Sequence, residues 1–362
     1  MTLQRIVILY PELANYFVVC LNNWCAMESV EVHVFRKQVN KEAPFAFDQP
    51  HPNVHIYNED EFDEAALCRE VERIQPRLIY CAGWSDKKYL NVVKRYRKNA
   101  NTLLGFDNKW FGNLKQQLLV TMGRFAFRHF DFAFVPGSRQ ALFGQKLGFP
   151  DDRILRNAYC ADVRYFQKGD QDTASAKRQT YPRRFIFVGR YITIKGIFDL
   201  WQAFTELCAE GHDDWELWCL GTGSEWDNRV EHPKIKHFGF VQPNELANYF
   251  NETGVYILPS HFEPWGVSVH EMAAAGYPMI LSDQIGAAEA FLEDGVNGYS
   301  VPAGDVKALK KAMLQCMNAS DAELLKMQDE SRRLSGNISH ETWNASLMKA
   351  LNASFQEKKY FN

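Results

Sequence analysis

VYILPSHFEPWGVSVHEMAAAGYPMILSD (255–283) places two short hydrophobic runs on either side of a small-residue segment. VYILPS (255–260) and PMILSD (278–283) each read as a buried strand, bounded by Pro, Ser or Asp. VSVHEMAA between them has helical character and stops at Gly276. A strand, a helix and a second strand within about thirty residues make a βαβ unit with parallel strands. Glu263 and Glu271 stand eight positions apart inside it. The first lies in the loop that leaves the strand, the second near the start of the helix. In an open α/β sheet that crevice is where ligands bind. Two acids there, beside helix-terminal N–H groups, suit a polyhydroxylated ligand carrying phosphate.

The same alternation extends in both directions. RFIFVGR (184–190), ELWCLG (216–221) and IKHFGF (235–240) read as strands, with helices over 196–209, 244–250 and 267–275. Upstream, RIVILY (5–10), VEVHVF (30–35), RLIYCAG (77–83), TLLGFD (102–107) and DFAFVPG (131–137) form a first series, with helices over 63–74 and 87–98. Strands alternating with helices imply parallel sheets. QKGDQDTASAKRQTYP (167–182) is polar and poor in apolar residues, and it is the linker between the series. Residues 306–355 are mostly helical in pattern.

A chain of 362 residues accommodates two domains of ordinary size, and 46% hydrophobic with 23% charged residues describes a folded globular chain. It contains no apolar run long enough to span a membrane, and MTLQRIVILY enters a strand at once rather than a secretory leader. The eight cysteines are scattered with no CxxC pair, which fits reduced, buried thiols in a cytoplasmic protein. Cys20 and Cys25 have no histidine beside them to complete a zinc site. The net charge of −3 hides an excess of 18 Lys+Arg over 8 Asp+Glu in residues 85–180. That basic stretch suits anionic lipid, an anionic acceptor or simply solvated helix faces; no nucleic-acid motif accompanies it.

Several short segments carry chemistry. FVGRYITIKG puts Arg190 and Lys195 between a strand and a helix, where two cations and helix N–H groups can hold a diphosphate. No P-loop pattern is present. Gly221 and Gly223 of LGTGSE permit close backbone approach, and GFVQPNEL offers Phe240 and Val241 as a surface for a flat base. No carboxylate pair at a strand end is expected to hold Mg²⁺.

In this order, FVGRYITIKG, LGTGSE, GFVQPNEL, the 257–283 segment and AAEAFLEDGVNGYSV resemble the retaining family-4 glycosyltransferases of the GT-B fold. Glu263 and Glu271 meet that family's E-x7-E motif, and Ala273–Pro278 and Glu289 with DGVNG meet its following segments. The resemblance implies two Rossmann-like domains facing across a cleft: an acceptor domain over 1–178, joined by a C-terminal helix at about 341–362, and a nucleotide-sugar domain over 179–340. It implies that Arg190 and Lys195 neutralise the departing diphosphate, Glu263 reads the donor sugar and Glu271 holds the ribose. Gly189, Pro264, Trp265, Gly266 and Val267 would line the donor pocket, and Phe240 and Val241 would meet the base.

The implied reaction is metal-independent, retaining sugar transfer from a nucleotide-sugar, UDP before GDP, to a saccharide or lipid-linked saccharide. Cell-surface polysaccharide or glycoconjugate synthesis would be its setting, with attachment to an anionic membrane surface through 87–99 and 114–130. A nucleotide-sugar epimerase and a non-catalytic nucleotide-sugar-binding protein are the alternatives. NAYCADVRYF (157–166) resembles the family's approach to the domain connector. The first series otherwise departs from the family. YPELANYF (10–17) lacks the glycine pair often found after the first strand, and CAGWSDKKY (81–89) lacks a mid-domain histidine. Trp84, Asp86 and Asp107 are the acceptor-side candidates.

Overall fold

Most of the hydrophobic runs quoted above become strands with successive residues buried, which suits continuous rather than alternating apolar sequence; the edge strand of IKHFGF, with Lys236 and Phe238 exposed, is the exception. The computed structural model describes residues 3–37, 49–168, 177 and 180–354. The chain divides into one unit of Met1–Cys160 with His340–Asn362 and a second of Ala161–Ser339. Most of the polar linker segment, and residues 355–362 of the expected last helix, lie outside the described residues.

In the first unit the order is β1 (Gln4–Tyr10), α1 (Asn15–Met27), β2 (Val30–Arg36), β3 (Val54–Asn58), α2 (Glu64–Ile74), β4 (Leu78–Ala82), α3 (Lys87–Tyr96), β5 (Asn101–Gly105), α4 (Leu114–Ala126), β6 (Phe132–Phe134), α5 (Ser138–Lys146) and β7 (Ile154–Leu155). The strands form one parallel sheet, ordered β3-β2-β1-β4-β5-β6-β7. Helix starts follow the side chains available. Asp63 accepts from the Ala66 amide at 2.6 Å, Asp86 from Tyr89 at 3.0 Å and Asn113 from Gln116 at 3.0 Å.

Two differences from the sequence expectation stand out. YPELANYF is not all loop, because Asn15 already opens α1. VHIYN and the two-residue β7 are strands that pattern alone does not announce: one carries His and Asn at half-exposed positions, the other is too short.

The second unit runs α6 (Val163–Lys168), β8 (Arg184–Val188), α7 (Ile197–Ala209), β9 (Glu216–Leu220), β10 (Ile235–Gly239), α8 (Ala247–Phe250), β11 (Val255–Leu258), α9 (Val267–Ala274), β12 (Met279–Ser282), α10 (Ala288–Phe291), β13 (Gly298–Val301), α11 (Val306–Asn318) and α12 (Asp321–Ser335). Its six strands are parallel, ordered β10-β9-β8-β11-β12-β13. The reversal of strand order falls between β8 and β11, which are paired neighbours. Such a switch point opens a crevice beyond the carboxyl ends of the two strands.

The last helix, α13 (His340–Asn352), belongs to the first unit. Trp343 is fully buried among Phe17, Trp24 and Phe134 and donates its indole N–H to the Ala158 carbonyl at 3.1 Å. The Asn101 side-chain amide donates to Ala350 and Ala353 carbonyls at 2.8 and 3.0 Å, fixing the end of that helix to β5. No helix among the described residues is long and apolar enough to cross a membrane.

Candidate active site

The switch point of the second unit gathers the residues singled out from sequence. After β8 the chain passes Gly189 and Arg190, turns through a 3-10 segment at Thr193–Lys195 and reaches Gly196 at φ +68°. A Cβ on Gly196 would stand 2.2 Å from the Pro259 carbonyl oxygen, so only glycine lets this turn lie against the segment leaving β11. The His261 amide then donates to the Ile194 carbonyl at 2.8 Å, and the His261 ring meets Asp199 at 2.5 Å. Stapled in this way, the two loops bring the Lys195 ammonium onto the Glu263 carboxylate as a direct ion pair. Both side chains are largely buried.

The other side of the Glu263 loop rests on the segment after β12. Ser282 donates its hydroxyl to the Ser260 carbonyl at 2.5 Å, the Gly286 amide donates to Glu263 O at 3.1 Å, and Ala287 N donates to Trp265 O at 2.9 Å. Trp265 turns its indole into the core, 2% exposed, so any part it takes in a pocket belongs to its backbone. Gly266, at φ +95°, caps α9, and its missing side chain leaves room for the Glu263 methylenes. The first amides of α9, at Val267 and Ser268, have no acceptor inside the helix, an arrangement able to receive an anion.

Glu271 lies one turn beyond Val267 on α9, half-buried. Desolvation pushes its carboxyl up to about 7. The buried Tyr256 hydroxyl, bonded to Ser268 Oγ at 2.9 Å, feels both Glu263 and Glu271, and burial drives its ionisation well above the usual range. The two glutamates thus flank one helix terminus with contrasting environments. Glu263 is matched by a cation, whereas burial dominates at Glu271.

The loops after β8, β9 and β10 lie side by side. Gly221 N donates to Gly239 O at 2.6 Å and Tyr191 N to Thr222 O at 2.9 Å. A Cβ on Gly221 would come within 1.9 Å of Gly189 O, and one on Gly223 within 2.4 Å of Tyr191 O. The close backbone approach these glycines permit is that of one loop on another. Phe240 and Val241 leave β10 on the same edge, both half-buried.

In the first unit, Trp84 packs its ring on Phe106, Phe127 and Phe143. Asp86 caps α3 and pairs with Lys37 at 2.6 Å. Burial alone would raise the Asp86 carboxyl, but Lys37 and the Tyr89 amide outweigh it and hold it low. Both residues thus have structural contacts within the first unit. Asp107, beyond β5, accepts from the Tyr159 hydroxyl at 3.2 Å within a group that includes Tyr10, Tyr16 and Tyr80.

Three residues of the donor-side architecture carry no sequence signal of their own. They are His261, Tyr256 and His270, the last fully buried between the Ala161 amide and the Ser335 carbonyl. Only their placement against loops distant in sequence reveals them.

Residues 182–319 match the family model "Glycosyl transferases group 1". This segment is similar to the group 1 glycosyltransferases, and it contains the whole switch point described above, from Gly189 to Glu271. The chain is 28% identical over 176 residues to the glycogen synthase of Mycobacterium tuberculosis, covering 47% of this chain and 42% of that protein. It is 35% identical over 145 residues to the phosphatidyl-myo-inositol mannosyltransferase of Mycobacterium leprae, covering 37% and 38%. Each match spans less than half of the relative's length. The structure of Anabaena HepE in complex with UDP and glucose superposes with a TM-score of 0.72 over 96% of this chain and 99% of that one, at 15% identity. The fold class is that of the GT-B glycosyltransferases, with two parallel-sheet α/β domains.

Proposed function

We propose that this chain is a glycosyltransferase that moves a sugar from a nucleotide-sugar, UDP-linked before GDP-linked, to a saccharide or lipid-linked saccharide, with retention at the anomeric carbon. The observation that carries this reading is the convergence of Lys195, Glu263 and the α9 terminus at the β8/β11 switch point of a segment similar to the group 1 glycosyltransferases. The HepE complex, which holds UDP and glucose, supports the choice of donor.

In this reading Arg190, Lys195 and the α9 amides hold the diphosphate and stabilise the negative charge that grows as it leaves, without Mg²⁺. Glu263, oriented by Lys195 and by Gly266, accepts hydrogen bonds from the sugar. Glu271 accepts from the ribose hydroxyls, Phe240 and Val241 meet the base, and Gly189, Pro264, Trp265 and Val267 contribute backbone. Asp107, Trp84 and Asp86 are the acceptor-side groups in this reading, with the Asp107 carboxylate as the base toward an acceptor hydroxyl.

The test is incubation with UDP- and GDP-sugars and saccharide acceptors without added Mg²⁺, with NMR of the product's anomeric centre. Turnover with a retained anomer is expected. Lys195→Ala and Glu263→Gln should each lower kcat at least about a hundredfold, the size associated with losing one oxyanion-type contact. Release of an epimerised sugar-nucleotide without acceptor, or binding with no turnover, would replace this reading by one of its alternatives.

The lipid-linked acceptor draws on a separate observation. Leu114, Leu118, Met122 and Phe125 recur at helical spacing along α4 and are all exposed, Leu114 at 82% and Phe125 at 73%. Phe111 precedes them, also exposed. Lys115 and Arg128 are exposed on or beside this helix, and Arg97, at the basic end of α3, reaches His129 at 2.8 Å. An apolar stripe among cations is the pattern of a helix lying in an anionic lipid interface. Co-sedimentation with anionic vesicles at low salt is expected for the wild type and lost in Leu118→Asp with Phe125→Asp. Equal retention of the double variant would remove the membrane from the proposal.

A further inference from the structure

Outside the donor site, the first unit assembles a second cluster on the outer strands of its sheet. β2 and β3 run parallel with His33 opposite His55, and Glu31 lies two residues before His33 on the same face of β2. Glu31 Oε1 stands 3.2 Å from His55 Nε2 and 3.9 Å from His33 Nε2. The two rings are 4.9 Å apart between centroids. One ligand atom from each residue lies within 4.8 Å of the other two.

Three arrangements around the cluster match what a metal centre needs. The His33 Nδ1 is bonded to the Tyr57 hydroxyl at 3.1 Å, which fixes the ring and turns Nε2 toward Glu31 and His55. A second-layer partner on the far ring nitrogen is the usual companion of a ligating histidine. The Arg5 guanidinium engages Glu31 through Oε2 at 3.5 Å, leaving Oε1 to the imidazoles. From the covering helix, Glu70 is taken up by Arg73 at 2.5 Å, so it does not compete for the histidines. His33 is 7% exposed and His55 38%, so the cluster opens to solvent on one side, where a water can complete the coordination.

We infer that Glu31, His33 and His55 form a binding site for a divalent zinc-class ion, held by two imidazole Nε2 atoms and one carboxylate oxygen, with water in the fourth position. Tetrahedral Zn²⁺ with bonds near 2.0–2.1 Å sets its nitrogen and oxygen ligands about 3.3 Å apart, so the present spacing needs only side-chain adjustment. The ligands sit on paired strands rather than on loops, which limits their drift. Occupancy would clasp β3, the outermost strand of the sheet, to β2.

Isothermal titration of the full chain with Zn²⁺, after chelator treatment and at neutral pH, tests the site. Co²⁺ absorption in the visible range serves as a geometry readout. One ion per chain is expected, with the spectrum of four-coordinate Co²⁺. His55→Ala and Glu31→Gln, both at partly exposed positions, should each weaken binding a hundredfold or more, and Tyr57→Phe about tenfold. Circular dichroism confirms that each variant is folded before titration. Absence of bound Zn²⁺ would overturn the inference. So would binding that survives both His55→Ala and Glu31→Gln, or that disappears in Cys20→Ser, which would move the ion to the buried group of Cys20, Cys160 and His340.

Discussion

Burial raises the Glu271 carboxyl to about 7, so it gains or loses its proton within the pH range in which enzymes ordinarily work. A carboxylate accepts two hydroxyl hydrogen bonds; the protonated acid has lost part of that capacity. If Glu271 binds a ribose, donor affinity should rise with pH, roughly tenfold between pH 6 and 8 for a group titrating near 7, and level off above. The sign for the unliganded fold is opposite. Its folded value is raised, so its contribution to stability is complete in the acid range and is lost as pH rises through about 7. Titration calorimetry with an intact nucleotide-sugar, whose diphosphate does not change charge over this range, measures the first effect. A flat profile that stays flat in Glu271→Gln would remove Glu271 from the donor site. His261 makes a similar point in reverse. From sequence it is a lone histidine with no assignable role, yet its amide and ring fasten the Lys195 turn to the Glu263 loop.

At the scale of elements, the switch-point loops of the second unit are built from turns that only glycine can make. Gly196 carries a positive φ and also lies where a side chain would strike the Pro259 carbonyl. Gly196→Ala should therefore separate the Lys195 turn from the β11 loop, at a cost of about 1–3 kcal/mol in stability and a larger loss in donor binding. Thermal unfolding with and without nucleotide reads both; an unchanged ligand-induced shift would show that the staple is dispensable. The strands and most helices of the second unit were legible in the sequence because continuous apolar runs and clear stop signals repeat there. The second unit's β13 escaped because GYSV is polar at its centre and only four residues long. α1 escaped because its start at Asn15 has no capping side-chain bond. Arg190, Lys195, Glu263 and Glu271 were grouped from sequence through the family resemblance, and the structure joins Lys195 to Glu263 directly. What spacing could not provide was the reason for Gly221 and Gly223, since that depends on two loops thirty residues apart lying in register.

For the whole molecule, the informative feature is where α13 goes. Trp343 is fully enclosed by aromatic rings of the first unit, and its removal leaves a cavity rather than a surface change. Trp343→Ala should destabilise that unit by about 3–5 kcal/mol. Hydrogen exchange should show faster opening of β1, β5 and α1, while β8, β11 and β12 keep their protection. Uniform loss of protection across both units would show that they unfold as one. The acceptor side was the least legible part of the chain. Trp84 and Asp86 stand at a strand end, as acceptor groups would, but are engaged in ring packing and helix capping. No sequence pattern separates those uses.

Because α13 completes a sheet domain whose other elements all precede residue 161, the second unit is in effect an insertion within the first. On a ribosome the early unit must wait, missing a wall of its core, while residues 161–339 are made. At about 5–20 residues per second that delay is roughly 10–35 s. During it the apolar surface that Trp343 will cover stays open to water and to chaperones. The unit that begins synthesis first is thus the one that matures last, and the second unit can become native before its N-terminal partner is finished.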